Sequence, residues 1–345
     1  MAAAIAIPFI VAGSCFLASL LGVGVMRHFA LARGIVDVPN ARSSHEQPVP
    51  RGGGLVIALV ASAGLFALGL SGALPWPLAF ALLVPGAVVA CIGYLDDLGG
   101  VPALRRLCVQ AIAAAAALAI LGGWDAGLPR ESAAWWILQA ALVVGITWAT
   151  NLYNFMDGID GIAGAEAVFL GIGGAVLLQV AAQPPGTVVA CLVLGAASLG
   201  FLAWNWPPAR IFMGDVGSGY LGLVYAVVAL ATSREDPSLL AGWLILSGTF
   251  VADSGATLGR RLARRERFYE AHRIHAYQWL ARRFGGHLPV TLLYSAVNLL
   301  WLLPMAWLSV RFAAHASWIA ALALAPLVAA ALAAGAGRTE PGTPA

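Results

Sequence analysis

Eleven apolar stretches, most of them near the length needed to cross a bilayer, follow one another along this chain with mostly short polar connections between them. A helix needs about 20 apolar residues to span the hydrocarbon core, where no water is present and every backbone polar group must be satisfied within the segment. The stretches run roughly 4–26, 55–74, 78–95, 107–121, 135–150, 162–182, 187–203, 220–232, 239–258, 288–308 and 318–334. The eighth is short unless it extends back through Gly217–Gly219. Hydrophobic residues make up 61% of the 345 and charged residues 10%, where a soluble domain carries about a quarter charged. The expectation is an all-α, polytopic integral membrane protein of about 11 transmembrane helices, forming one membrane domain over 1–345. Its first stretch has no basic segment before it, so it reads as a retained span rather than a cleaved signal.

All 19 basic residues are Arg, and the absence of Lys excludes Schiff-base and P-loop lysine chemistry. Sixteen of these Arg fall in alternate connections beginning with 27–54, and only Arg130, Arg234 and Arg311 lie in the others. Cytoplasmic connections carry the excess of positive charge. The N-terminus is therefore expected outside, with the C-terminus and its short tail, 335–345, in the cytoplasm. The four Cys are isolated in apolar stretches and read as small buried hydrophobes. Every polar cluster falls on the Arg-rich side, which points to one active site on the cytoplasmic face.

The densest cluster is Asn151-Leu-Tyr-Asn154-Phe-Met-Asp157-Gly-Ile-Asp160-Gly-Ile-Ala-Gly164, between two spans. Carboxylates are costly near hydrocarbon and persist there with partners or a function. Asn151, Asn154, Asp157 and Asp160 recur every three residues, which on a helical turn places them on one side. Such oxygen-rich side chains beside glycines suit hard cations and phosphates. Gly93-Tyr-Leu-Asp96-Asp97 ends the third span with adjacent carboxylates, which repel unless a cation or a raised pKa relieves them. A solvated helix end is the plain alternative. Phe212-Met-Gly-Asp215-Val-Gly217-Ser218-Gly219 is a glycine-rich turn that can aim backbone N–H groups at an anion, or simply cap a helix.

His272, Arg273 and His275 follow a run of Arg; their spacing suits diphosphate contact and proton management, with zinc ligation as the rival. Anionic lipid contact, not nucleic acid, is the expected partner of the Arg run. Asp253, late in the ninth span, is positioned to pair with that Arg cluster or to serve the fold. In the first long connection, Arg51 precedes Gly52-Gly53-Gly54 and either contacts phosphate or lies in a flexible lead-in to the second span.

Together, GYLDD, NLYNFMDGIDGIAG, FMGDVGS and HRIHAYQ, in this order over roughly residues 35–290, resemble the polyprenyl-phosphate N-acetylhexosamine-1-phosphate transferases. That superfamily includes the lipid I translocase of peptidoglycan synthesis and the initiating transferases of O-antigen, enterobacterial common antigen and teichoic acid linkage. The stretch DVPNARSSH…PVPRGGG and the HRIHAYQ form look closest to the O-antigen branch, which uses UDP-N-acetylfucosamine, UDP-N-acetylquinovosamine or UDP-N-acetylglucosamine. Peptidoglycan-type members carry a triple-His segment where this chain has Arg273-Ile274, which argues against a muramyl-pentapeptide donor.

The resemblance implies a bacterial inner-membrane enzyme that joins HexNAc-1-phosphate from a UDP-N-acetylhexosamine to undecaprenyl phosphate, releasing UMP, with Mg²⁺ or Mn²⁺. It implies Asp215 as metal ligand, and Asp96 and Asp97 as the residues that orient or deprotonate the lipid phosphate. Asn154, Asp157 and Asp160, with Asn151 beside them, would hold the nucleotide diphosphate, and Asp157 is a catalytic candidate. Phe212 would stack on uracil, while His272, Arg273, His275 and Arg51 would meet phosphate. A homodimer is compatible with it. Two other classes are weighed against it. A secondary transporter would place carboxylates near mid-bilayer within inverted repeats. A prenyltransferase would want a complete DDxxD, whose last position here is Gly100.

Overall fold

The computed structural model describes residues 2–37, 48–234, 236–266 and 273–339, with side chains described from Ile10 onward. The chain is helical almost throughout. Its helices are α1 (Ala2–Arg33), α2 (Gly53–Leu70), α3 (Trp76–Gly99), α4 (Ala103–Ile120), α5 (Ala133–Met156), α6 (Ile162–Val180) and α7 (Pro185–Asn205). After them come α8 (Asp215–Ser233), α9 (Ser238–Leu246), α10 (Gly248–Ala263), α11 (Ala276–Phe284), α12 (Leu288–Val297), α13 (Leu303–Arg311) and α14 (Ala316–Ala334). A π-helical segment, Asn298–Leu302, joins α12 to α13 in one continuous rod.

Ten helical segments of the described residues are long and apolar enough to cross a membrane, and the bent pair α9–α10 brings the number to 11. The protein is thus a polytopic all-α membrane protein. The eighth span does extend backward: α8 begins at Asp215, through the glycines, so its first carboxylate lies in a helical turn. The ninth differs from a straight span. It breaks at Ser247 and bends by 77°. Beyond the break the polar side chains of α10 find partners within the protein: Asp253 meets Tyr294 of α12 and the start of α11, Thr249 meets Asn298, and Arg260 meets the carbonyls of Leu332 and Ala336.

The bundle is organised around α8, of whose apolar window 83% is buried, against 17% for α1 and 22% for α14 at the periphery. Outward faces carry large apolar side chains such as Leu21, Leu70, Leu104, Ile112, Leu300 and Trp318, as contact with acyl chains requires. Close approach at the centre depends on absent side chains. A Cβ on Gly54 would lie 2.4 Å from the Cα of Gly217, so the start of α2 abuts the start of α8. Backbone bonds fix that contact: Gly53 N and Gly54 N donate to the carbonyls of Phe212 and Met213 (3.0 and 2.9 Å), and Phe212 N donates to Pro50 O (2.8 Å). Before them, strands β1 (Val36–Asp37) and β2 (Val49–Pro50) pair antiparallel, and Arg51 forms an ion pair with Asp37 at 2.8 Å.

Connections separated in sequence gather at two ends. At one end Arg130 pairs with Asp125 (3.1 Å), and Arg234 donates to the carbonyl of Leu121. The Asn/Asp segment, the Asp96-Asp97 pair and the Gly-rich turn meet at the other.

Candidate active site

Asp96 and Asp97 leave the last turn of α3 toward different partners. The two Asp97 carboxylate oxygens accept from the backbone N–H groups of Asp215 (3.0 Å) and Val216 (3.2 Å). Those are orphan donors at the start of α8, so Asp97 caps a helix from outside it, where a negative charge also meets the positive end of the helix dipole. Asp96 accepts from Val101 N and from Arg106, whose Nη1 also bonds the Asp215 carboxylate. One guanidinium thus bridges a carboxylate of α3 and one of α8. Arg106 belongs to α4, and sequence reasoning counted it only as a topological charge. Its signal was present: it follows the Asp pair by ten residues, on the same side of the membrane.

Asn154, one turn before the end of α5, donates to Ser218 Oγ (2.9 Å), which donates to Gly214 O (3.2 Å). Asn151 donates to Gln110 Oε1 at 2.6 Å. Asn151, Asn154, Gln110, Arg106 and Asp215 line one narrow pocket with Val89, Ile92, Gly93 and Gly219. Gln110 was not legible as a site residue, since a lone Gln in an apolar helix carries no motif.

Asp157 follows the last turn of α5. Burial first, then the nearby carboxylates of Asp215 and Asp97, push its carboxyl up to about 7, with Arg51 acting in the opposite direction. Like charges packed out of water disfavour full ionisation, and the cluster therefore attracts cations.

Asp160 faces another set of groups. Its carboxylate accepts from Ala209 N (3.0 Å) and lies 3.2 Å from His287 Nδ1. Its carbonyl accepts from Thr291 Oγ1 (2.8 Å), and the next N–H, of Gly161, donates to Asn205 Oδ1 (2.9 Å). These bonds hold the Asp157–Gly161 turn. The three-residue spacing suggested one common face, but the helix ends at Met156, so Asp160 leaves the face that Asn151 and Asn154 share.

The His/Arg motif lies beside this turn. Tyr277 Oη donates to Phe155 O (3.0 Å), and a Cβ on Gly158 would stand 2.0 Å from that oxygen; only glycine fits there. His275 is 2% exposed and lies 3.4 Å from Asp253. Asp253 also accepts from the N–H groups of Ala276 (2.7 Å) and Tyr277 (2.9 Å) and from Tyr294 Oη (2.8 Å). The structure thus pairs Asp253 with the start of α11 and with His275, and its described bonds do not reach the Arg run. Arg273 accepts at its carbonyl from Arg282 (3.4 Å). Phe212 is held by its backbone bonds to Pro50 and Gly53. His272 lies outside the described residues.

A divalent cation fits this donor set. Mg²⁺ takes oxygen ligands, keeps several waters and needs only one or two protein carboxylates. Among the described residues no three His, Cys, Asp or Glu side chains gather to hold a metal ion, so an ion held here by one or two carboxylates would need water for its remaining ligands. Asp96 and Asp215 already turn toward a shared positive charge, that of Arg106.

Fold and site together define a multi-pass membrane protein with a polar pocket, lined by Asp215, Arg106, Gln110, Asn151 and Asn154, at the ends of its central helices. Residues 79–233 match the model of glycosyl transferase family 4. It is 28% identical over 280 residues to a protein of Bacillus subtilis named a probable undecaprenyl-phosphate N-acetylglucosaminyl 1-phosphate transferase, covering 77% of this chain and 76% of that one. It is 33% identical over 242 residues to the decaprenyl-phosphate N-acetylglucosaminephosphotransferase of Mycobacterium tuberculosis, covering 62% of this chain. That match spans 57% of the mycobacterial protein's own length. A phospho-N-acetylmuramoyl-pentapeptide-transferase of a Synechococcus species is 29% identical over 272 residues, 73% of this chain and 75% of that relative.

Proposed function

We propose that this protein transfers HexNAc-1-phosphate from a UDP-N-acetylhexosamine to undecaprenyl phosphate at the cytoplasmic face of the bacterial inner membrane, and so initiates an O-antigen-type polysaccharide. The observation that carries this reading is the convergence of Asp96, Asp97, Asn154, Asp157, Asp215 and Arg106, from three connections, at one end of a membrane-embedded bundle. A lipid-borne phosphate and a water-soluble diphosphate can meet only at such a boundary. The names of the relatives agree on a polyprenyl phosphate as acceptor or a phosphosugar as the transferred group.

An oxygen of the lipid phosphate attacks the sugar-bearing phosphorus of the donor. The bond from that phosphorus to the bridging oxygen breaks, and UMP leaves with the electron pair. Phosphoryl transfer of this kind is catalysed by positioning and charge neutralisation more than by covalent chemistry. Arg106 and Arg51 supply fixed positive charge around the carboxylates. Asp215, with Asp96, would hold Mg²⁺ or Mn²⁺, which supplies neutralisation of the diphosphate. The lipid phosphate is largely ionised near neutral pH, so Asp96 and Asp97 serve orientation rather than obligatory proton removal. Phe212, Arg273 and His272 remain assigned to the nucleotide and its phosphates.

The test is UMP release by purified protein given undecaprenyl phosphate, Mg²⁺ and a panel of UDP-N-acetylhexosamines beside UDP-muramyl-pentapeptide. Turnover of at least one UDP-HexNAc well above the pentapeptide donor is expected, since HRIH replaces a triple-His segment. Preference for the pentapeptide donor would sink the O-antigen assignment, and no UMP from any donor would sink the transferase reading.

A further inference from the structure

One helix outside every motif touches all the segments that build the site's second half. His287, Thr291, Tyr294 and Asn298 recur at intervals of four, three and four along α12 and its cap residues, so they share a face. Together they bond three parts of the site's support. His287 Nδ1 accepts from Asp160 N (3.3 Å), and Thr291 Oγ1 donates to Asp160 O (2.8 Å). Tyr294 Oη donates to the Asp253 carboxylate that holds the start of α11. Asn298 Nδ2 donates to Glu166 Oε2 (2.6 Å), and Asn298 Oδ1 accepts from Thr249 Oγ1 (3.0 Å).

Glu166 is the most telling of these partners. It lies in the second turn of α6, immediately behind the Asp157–Gly161 turn, and is 2% exposed. Its second oxygen, Oε1, is buried with no hydrogen-bond partner among the described residues. A carboxyl group is expensive inside a membrane protein and persists where it has a role. Asn298 is also where the rod becomes π-helical, through Leu302. Such wide turns insert an extra residue and recur at functional sites.

We propose that this face of α12 is a positioning spine that fixes the Asp157–Gly161 turn and the His275–Tyr277 segment relative to each other, with Tyr294, Asn298 and Glu166 as positioning residues for the transfer reaction. The spine's effect on the reaction rests on the proposed function, whereas the mechanical coupling is independent of it. Tyr277 Oη ties α11 to the end of α5 at Phe155 O, and α12 adds bonds both to the turn and to the Asp253 carboxylate, giving them a common rigid reference. A buried polar network that is nearly satisfied supplies that rigidity.

Hydrogen–deuterium exchange on the full-length protein in nanodiscs tests the coupling without any need for turnover. Asn298→Ala is expected to speed exchange at least fivefold over residues 155–166, and Tyr294→Phe to do so over 274–278. Ser295→Ala, whose hydroxyl bonds only the carbonyl of Thr291 on its own helix, serves as the control and should leave both segments unchanged. UMP release should show kcat reduced tenfold or more in the first two variants, with KM for the UDP-sugar within twofold. Glu166→Gln combined with Asn298→Asp reverses the polarity of that pair and should recover protection and kcat relative to Asn298→Asp alone. Unchanged exchange at both segments would overturn the proposal. So would exchange that rises uniformly through the molecule, which marks simple destabilisation. If the wild-type protein released no UMP, the transferase reading would fail while the exchange result still decided the spine.

Discussion

At the scale of single residues, the two adjacent aspartates of α3 separate into different tasks. Asp97 satisfies two backbone donors of α8, each charge-assisted bond being worth about 1.5–3 kcal/mol. Asp97→Ala is therefore expected to lower the melting temperature in detergent as well as turnover, read by thermal unfolding beside the UMP assay. Asp215→Asn keeps the side chain's size and removes its charge. It should cost on the order of 10²-fold in turnover, about 3 kcal/mol of transition-state stabilisation, with unfolding nearly unchanged and with Mg²⁺-dependent donor binding lost in calorimetry. Near-wild-type activity with intact Mg²⁺ dependence would move the metal role to Asp96. Arg106 bridges both carboxylates. Arg106→Gln is expected to reduce kcat/KM by about 10²-fold, and Arg106→Lys by less, since charge is retained but the planar fork is not.

At the scale of elements, the packing of α11 against the Asp157 turn depends on one missing Cβ. Gly158→Ala would force a methyl group to 2.0 Å from Tyr277 Oη. Overpacking of a rigid site typically costs about 1–3 kcal/mol, so lowered stability and turnover are expected. Tyr277→Phe in the same chain removes the clashing oxygen together with its bond to Phe155. It should restore part of the loss, which a double-mutant cycle measured by thermal unfolding will show. No rescue at all would mean that the clash is not the cause.

At the scale of the whole molecule, the Arg asymmetry and the gathering of connections at two ends bear on one topology. Single-cysteine labelling in intact cells, with Cys15, Cys91, Cys108 and Cys191 replaced, should find positions 130, 234 and 311 accessible from outside and positions 154, 215 and 273 from the cytoplasm. Accessibility of position 273 from outside alone would reverse the orientation and the side from which the donor arrives.

Much of this architecture was written into the chain itself. Apolar length alone specifies the spans, because hydrocarbon admits only internally bonded backbone. The polar clusters mark the site because carboxylates at such positions need a purpose. The break at Ser247, the separation of Asp160 from the Asn151–Asn154 face, the bridge made by Arg106 and the α12 spine were decided only by tertiary structure. Spacing along a chain reports one helix at a time, whereas these features each depend on which side chain of a distant helix satisfies a buried polar group. His287, Thr291, Tyr294 and Asn298 form a periodic pattern too, but four polar residues on an apolar helix acquire meaning only when Asp160, Asp253 and Glu166 arrive opposite them.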